Sequence, residues 1–405
     1  MSRYVILGIA LAVTTTILCM RVLKPAWFQN LFGQSDEATS ITYEAGSDDP
    51  STYNSDGKKI QMALILDTSN SMEGLIDQAK SQLWMLVNEL AGMKKEGKTS
   101  KVEIALYQFG NDGLSMRKGY IEQILPLNSN LDEISQQLFE LTTHGGSEYC
   151  GQAIEDAIDN LAWTNNPNDL KLIFIAGNEP FNQGSVNYQK ICKKAKKRGI
   201  LVNTIHCGSY KDGINDYWEH GAKLGGGDYL NIDHHDQVVH ITTPYDDDIV
   251  KLNNQLNSTY IYYGETGKQK AESQVIQDKN ALMYSRANIR TRAMVKTKEV
   301  YNNSTWDLVD LYDNSNGYAY TISEISSQDL PEEMQSMTSE ERLEVIEQKS
   351  EEREQIKEEL RKYELKVKDY VAKEKAKTAK KQTLDNVMLT TIRKQAAKKN
   401  FKASN

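Results

Sequence analysis

The sequence predicts an α/β fold: a doubly wound, mostly parallel sheet flanked by helices, of the Rossmann-like kind, with a long helical C-terminal extension. The main observation is that short apolar runs alternate with amphipathic segments of helical length between residues 59 and 262. The first run, Met62–Leu66, is apolar throughout, as in a strand that is buried on both faces. A polar cluster follows it directly, and open α/β sheets bind their ligands where strands end.

The N-terminal part of the chain predicts a membrane anchor. Tyr4–Met20 is an apolar segment between Arg3 and Arg21. At about 17 residues it lies at the short end of membrane-spanning helices and is longer than most signal-peptide cores. Within residues 1–28 we favour an uncleaved signal anchor over a cleaved signal peptide. Residues 29–58 are mostly polar and lack an apolar period, so a flexible linker is expected there.

Either form of the N-terminal segment exports the rest of the chain. The expected location is therefore the cell envelope, with the main domain anchored outside the cytoplasm, in the periplasm or on the cell surface. The acidic residues number 56 against 48 Lys and Arg, which gives a net charge of −8. This balance argues against nucleic acid as a partner.

Residues 59–262 form the predicted α/β domain, in which each strand is followed by a turn and a helix. Apolar runs predict strands, with an antiparallel one at 120–127 and a weaker edge at 228–232: Ile60–Leu66, Val102–Phe109, Tyr120–Leu127, Leu170–Ile175, Leu201–His206 and Asp228–Ile232. Amphipathic segments predict helices: Leu75–Leu90, Leu131–Leu141, Gln152–Leu161, Tyr188–Lys197, Asp216–Leu224 and Asp246–Thr259.

Two further regions follow this domain. Residues 263–330 are mixed and polar, with one packed element predicted at Thr305–Tyr312. Residues 331–405 have a helical composition, and a short apolar seam with 4-3-4-3 spacing runs through Ile356, Leu360, Tyr363, Val367 and Tyr370. Two interpretations of the seam remain open: one long helix lying on the protein, or a coiled-coil helix for a partner or for self-association.

The polar cluster after the first strand is a candidate metal site. Asp67, Ser69 and Ser71 alternate in the stretch Asp67-Thr68-Ser69-Asn70-Ser71, so one carboxylate and two hydroxyls can turn toward a single point. Hard cations such as Mg²⁺, Mn²⁺ and Ca²⁺ prefer such oxygen ligands. The alternative is a polar turn whose Asp and Ser side chains only cap the following helix.

This Asp-x-Ser-x-Ser motif resembles the metal-ion-dependent adhesion site of von Willebrand factor A (vWA) domains of the bacterial type. The resemblance also includes Gly145-Gly146-Ser147, the strand Ile173-Phe174-Ile175 that leads into Asn178-Glu179-Pro180, and the turn from Trp218 to Tyr229. It implies a vWA fold over residues 59–262. It also implies a protein-binding module in which a divalent cation bridges to an acidic residue of a protein partner.

The resemblance assigns roles to individual residues of the motif. In this family the two serines coordinate the ion directly and the leading Asp acts through water, which implies these roles for Ser69, Ser71 and Asp67. A threonine of a second loop normally joins them, and Ser147 stands at the matching position.

The third loop departs from the family pattern. Where the family usually has Thr-Asp-Gly, the ungapped match is Ala176-Gly177-Asn178, so Gly177 replaces the usual Asp. A site with fewer carboxylates binds divalent ions more weakly. Glu148 and Glu179 are the candidates to substitute for the missing carboxylate. If the ion is absent, the alternative function is a metal-independent envelope scaffold that acts through its C-terminal helix.

Cys150 and Cys207 are both expected at the ligand edge of the sheet, which makes a disulfide between them one hypothesis. A remote alternative uses Cys150 with His144 as a Cys-dependent hydrolase, but the sequence offers no third residue to orient the pair. We therefore expect no enzyme. The pair His234-His235 invites a zinc interpretation, although a solvated turn is favoured because adjacent residues of an extended segment point apart.

Overall fold

The computed structural model describes residues 58–232, 240–315, 325–375 and 384–403. The predicted anchor, almost all of the predicted linker and the His234-His235 pair lie outside these ranges. Within these ranges, no helix combines the length and the apolar character that crossing a bilayer requires.

The sheet that carries the candidate site has β1 at its centre. The strands of the described residues are β1 (Lys59–Asp67), β2 (Met93–Lys95), β3 (Lys98–Thr99), β4 (Lys101–Phe109), β5 (Ile121–Asn128), β6 (Leu170–Gly177), β7 (Ile200–Cys207), β8 (Gly226–Ile232) and β9 (Lys402–Ala403). The main sheet has the order β5-β4-β1-β6-β7-β8, and only β5 runs antiparallel to its neighbour. The order reverses beside β1, so β1 ends where an open α/β sheet is expected to bind a ligand.

The helices of the described residues include all the predicted ones and several others. They are α1 (Glu73–Ala91), α2 (Leu131–Glu140), α3 (Cys150–Asn160), α4 (Tyr188–Lys197), α5 (Tyr210–Asn215), α6 (Trp218–Gly225), α7 (Asp246–Asn257), α8 (Gly267–Tyr284), α9 (Arg286–Val295), α10 (Leu308–Asn314), α11 (Glu332–Gln335), α12 (Ser339–Lys375) and α13 (Leu384–Ala397). The predicted α/β fold class is confirmed.

Apolar layers cover both faces of the sheet, because side chains alternate along each strand. Leu64 and Leu66 of β1 point into a layer that contains side chains of α1, α2 and α13. Ala63 and Ile65 point into the opposite layer, with side chains of α3, α4 and α6. Since β1 is buried on both sides, its sequence is apolar without alternation, which is the pattern that predicted it.

The seam of α12 faces the protein itself. Ile356 and Leu360 are buried in one cluster with Ile249, Leu252 and Met294 of α7 and α9. Tyr363 and Val367 pack against the same cluster. The structure therefore favours the long helix that lies on the protein, and the seam is not available for the coiled coil or self-association that the sequence left open.

The segment after α12 returns to the sheet. Arg393 of α13 forms two hydrogen bonds, of 2.7 and 2.6 Å, with the Glu89 carboxylate of α1. Gln395 and Asn203 of β7 exchange hydrogen bonds in a buried position, and β9 pairs with β2. The domain boundaries 59–262, 263–330 and 331–405 remain a prediction. From these contacts we propose that residues 384–403 belong to the α/β domain.

Candidate metal site

The site lies where β1, β4 and β6 end. Asp67, the last residue of β1, is fully buried, and Ser69 is 4% exposed. The backbone between them is held on two sides: the Thr68 amide donates to the Phe109 carbonyl at 2.8 Å, and the His144 amide donates to the Thr68 carbonyl at 2.9 Å. These bonds hold the motif between the end of β4, at Phe109, and the loop before α3, at His144.

The motif side chains lie close together at the end of β1. The Ser69 amide donates to Asp67 Oδ1 at 2.8 Å, and the Ser69 and Ser71 hydroxyls are 3.1 Å apart. The Ser71 hydroxyl also donates to Asn178 Oδ1 at 3.4 Å. Ser69 precedes the short 3-10 turn Asn70–Met72, yet its hydroxyl makes no capping hydrogen bond. Ser69 therefore does not cap this turn, whereas Asp67 does accept a backbone amide two residues further on, as a polar turn would.

Glu148 supplies a second carboxyl group to this point. Its side chain is 6% exposed and lies beside Asp67 and Ser69. Burial raises the pKa of Glu148 to about 9, and the neighbouring Asp67 charge adds to this increase. Burial also raises the pKa of Asp67, to about 6, although hydrogen bonds from Glu148 and Ser69 oppose the increase. Both shifts favour retention of a proton within this carboxyl pair, because burial disfavours two negative charges at one point.

Two glycines bring the backbone close to these carboxyl groups. A Cβ atom on Gly110, at the end of β4, would lie 2.7 Å from both Asp67 Oδ1 and Glu148 Cγ. A Cβ on Gly177, at the end of β6, would lie 3.0 Å from Asp67 Oδ2. The Gly177 that replaces the family's usual Asp thus leaves no space for a side chain, and the second carboxyl group comes from the loop before α3.

The donors fit a hard divalent cation. Asp67 Oδ2 is buried and has no hydrogen-bond partner among the described residues. The converging atoms are carboxyl and hydroxyl oxygens, the type that Mg²⁺, Mn²⁺ and Ca²⁺ prefer. Within the described ranges, no three side chains of the His, Cys, Asp and Glu types form a metal-binding group.

The remaining predicted site residues lie nearby with different exposures. Ser147 is half-buried, and its neighbour Glu148 is the residue that reaches Asp67. Glu179 is exposed, and its charge contributes to the raised pKa of Asp67. The sequence had named Glu148 and Glu179 as alternatives, and the structure brings Glu148 into contact with the motif.

Sequence reasoning missed the residues that hold the third loop. The His206 ring lies 3.3 Å from the Asn178 carbonyl, and the Trp218 indole donates to the Glu179 carbonyl at 2.9 Å. The sequence comparison gave Asn178 no role in the site, although its side chain contacts Ser71. The available signal was its position directly after β6, where side chains meet the end of β1.

The predicted Cys150–Cys207 disulfide is not formed. Both thiols are free and buried, and they belong to the apolar layers on opposite faces of the sheet. The strands between them explain the difference from the prediction, which placed both residues at one edge. Burial raises the pKa of the Cys150 thiol well above its usual value, which keeps it protonated and speaks against a nucleophilic role.

Residues 61–219 match the family model of the von Willebrand factor type A domain. The α/β part of this chain is a von Willebrand factor type A domain. The match begins in β1 and ends in α6, so it contains every residue of the candidate site. No curated protein matches the chain in sequence.

Solved structures of similar proteins include other A domains. BatB from Bacteroides thetaiotaomicron is 18% identical, with 55% of this chain and 99% of that chain covered and a TM-score of 0.34. The SpRpn10 VWA domain is 15% identical, with 44% and 89% covered and a TM-score of 0.34. An aerotolerance-related membrane protein from Bacteroides fragilis NCTC 9343 is 17% identical, with 43% and 92% covered and a TM-score of 0.30.

Proposed function

We propose that this A domain is a protein-binding module that uses a divalent cation to hold an acidic residue of its partner. The observation that carries the proposal is the convergence of Asp67, Ser69, Ser71 and Glu148 at the carboxyl end of β1. This is the position where open α/β sheets bind ligands. The conclusion concerns binding, and no chemical turnover is part of it.

The exposure of the site agrees with binding from solvent. Asp67 and Glu148 form its buried floor, while Ser71 and Glu179 are exposed at its rim. Asp67, Ser69, Ser71 and Glu148 would hold the cation, and a bound cation supplies an electrophile for a carboxylate. Without a cation, burial raises the pKa of both Asp67 and Glu148, because two carboxyl groups share one buried point.

The cation is tested by thermal unfolding of the full chain with Mg²⁺, Mn²⁺ or Ca²⁺ against EDTA. Binding to the native state raises the melting temperature, so we expect an increase with at least one ion. Ser71→Ala and Glu148→Gln should each remove most of this increase. Glu140→Gln, on the exposed end of α2, is the matched control and should keep it.

Two outcomes would contradict parts of this proposal. An equal response in wild type, Ser71→Ala and Glu148→Gln would place the ion elsewhere. A wild type without any response would favour the metal-independent scaffold. Partner capture from membranes with and without EDTA then tests the bridging role.

We further propose that the domain is exported and anchored in the cell envelope, because the Tyr4–Met20 segment precedes it. Protease added to spheroplasts should then degrade the A domain. Digestion that occurs only after lysis would refute export.

A further inference from the structure

Three side chains from three helical segments meet at one point. Asn257 ends α7, Asp278 lies on α8, and Lys296 directly follows α9. The Lys296 amine lies 2.8 Å from Asn257 Oδ1 and 2.8 Å from Asp278 Oδ2. The Asn257 amide nitrogen donates to the same Asp278 Oδ2 at 2.7 Å. One carboxylate oxygen is therefore within hydrogen-bond reach of both nitrogens, the amine of Lys296 and the amide of Asn257.

The Lys296 amine also lies close to the electrophilic carbon of the Asn257 amide. A carbonyl bond is about 1.2 Å long, so the amine nitrogen is no more than about 4 Å from Asn257 Cγ. Nucleophiles react from about 3–3.5 Å, which a shift of less than about 1 Å would reach. Lys296 is fully buried, which limits competing attack by water, whereas Asn257 is half-buried, so a small product can leave on its exposed side.

We propose that Lys296 and Asn257 form an intramolecular amide (isopeptide) bond, with Asp278 as the proton relay. The neutral Lys296 amine attacks Asn257 Cγ, and the Nζ–Cγ bond forms. Asp278 Oδ2 accepts the proton that the attacking nitrogen loses and donates it to Asn257 Nδ2. The Cγ–Nδ2 bond then breaks and ammonia leaves. The step needs no oxidant, reductant or other co-reactant.

The charges around Lys296 make this reaction slow at neutral pH. Burial is the main cause that lowers the pKa of the Lys296 amine to about 8, and the Arg292 charge also lowers it, whereas Asp278 and Asp132 oppose the decrease. Most of the amine is therefore protonated at pH 7, and only the unprotonated form has a lone pair for attack. Freshly made protein should contain the ionic contact, and the linked fraction should increase with time and with pH.

Peptide mapping by mass spectrometry tests the bond in the full chain, kept folded for several days at about pH 6 or about pH 9. We expect a branched tryptic peptide that joins the segments around Asn257 and Lys296. Its mass should be about 17 Da, one ammonia, below the sum of the two linear peptides. It should form at least about tenfold faster at pH 9, because the unprotonated amine predominates there.

Variants of the same region separate the roles of the three residues. Asn257→Ser removes the amide and should give no branched peptide, whereas Asn254→Ser, at an exposed position of α7, is the matched control and should keep it. At pH 9 the amine is largely unprotonated in the wild type, so a comparison there isolates the relay. Asp278→Asn, with its fold verified by circular dichroism, should form the bond at least about tenfold more slowly.

Three results would overturn the proposal. The first is that wild-type protein kept at pH 9 gives only the unmodified linear peptides. The second is a gain of about 1 Da at Asn257 without any link, since this would show hydrolysis to Asp instead of amide formation. The third is that folded Asp278→Asn forms the branched peptide as fast as the wild type.

Discussion

Gly110 and Gly177 approach the Asp67 carboxyl group from the two strands that flank β1. A Cβ atom on Gly110 would lie 2.7 Å from Asp67 Oδ1, and one on Gly177 would lie 3.0 Å from Asp67 Oδ2. In both cases the carboxyl oxygen would have to move to make room for a methyl group. Gly110 also has a φ of +77°, a backbone conformation that favours glycine. The site thus depends on residues that contribute no ligand atom.

Gly110→Ala should destabilise the protein by about 2–4 kcal/mol, because it adds a steric clash with Asp67 and Glu148 to the backbone strain. Gly97→Ala is the matched control: its φ is +78°, but nothing lies within 4 Å of its Cβ position. This variant should lose only about 1 kcal/mol. Urea unfolding measures both, and equal losses would show that the carboxyl groups do not fill the space beside Gly110.

The motif residues could be predicted from sequence because Asp67, Ser69 and Ser71 are neighbours in one loop. Glu148 was only one of two candidates, since its contact with Asp67 joins segments far apart in the chain. Gly110 gave no signal at all. Its role depends on how close the segments that carry Gly110, Asp67 and Glu148 lie in the folded protein. A single sequence does not reveal these distances.

At the scale of elements, α8 and α9 are held together by a buried ionic network with α2. The Arg292 guanidinium bonds Asp278 at 2.5 Å and Asp132 at 2.6 Å, and lies 4.3 Å from the centroid of the Trp84 ring. The Tyr301 hydroxyl donates to the second oxygen of Asp132 at 2.6 Å. Every charge in the network has a partner of opposite sign, which makes its burial tolerable.

Asp278→Asn should lower the free energy of unfolding by about 3–5 kcal/mol at pH 7, because it leaves Lys296 and Arg292 short of a buried counter-charge. Burial alone would raise the pKa of Asp278, but Lys296 and Arg292 hold it well below its usual value. Its stabilising effect is therefore complete above the pKa of an unfolded Asp, near 3.9, and is lost as the pH falls below it.

The difference between wild type and Asp278→Asn should therefore shrink progressively below about pH 4. Urea unfolding followed by circular dichroism between pH 3 and pH 7 measures it. Glu272→Gln, on the exposed side of the same helix, should change the stability by less than about 0.5 kcal/mol at every pH. A difference that stays constant with pH would mean that Asp278 titrates normally in the folded protein.

Strands β1 and β6 of the main sheet were predictable because they are buried on both faces and so have apolar sequences. Helix α8 was not, since its large buried side chains are Gln and Asp while Val275, Ile276, Leu282 and Met283 are exposed. Periodicity predicts a helix by assuming that the apolar side is inside. The same inversion is why residues 263–330 appeared mixed and polar.

For the whole molecule, α13 and β9 complete the α/β domain from the far end of the described chain. Met388, Ile392 and Phe401 are buried in the apolar layer that also contains Leu64 and Leu83. The sequence of residues 381–405 indicated a short helix with Leu384, Val387, Met388 and Ile392 on one face, but not what that face contacts. Sequence patterns define an apolar side, and only the fold determines its neighbour.

Ile392→Ala should destabilise the whole domain by about 2–5 kcal/mol, because it opens a cavity against a side chain that is fully buried. Lys398→Ala, on the exposed side of the same segment, should change stability by less than about 0.5 kcal/mol. A single cooperative urea transition shifted by Ile392→Ala would show that α13 unfolds with the sheet. An unshifted main transition would show that it is a separate element.

The pairing of Arg393 with Glu89 spans 304 residues, and this has a consequence during synthesis of the protein. Proteins are made from the N-terminus, so α1 and β7 emerge long before the helix that covers them. Until α13 is made, the apolar surface around Leu83 stays open to other chains. Nascent chains of this protein should therefore be aggregation-prone and should depend on chaperones until the last helix docks.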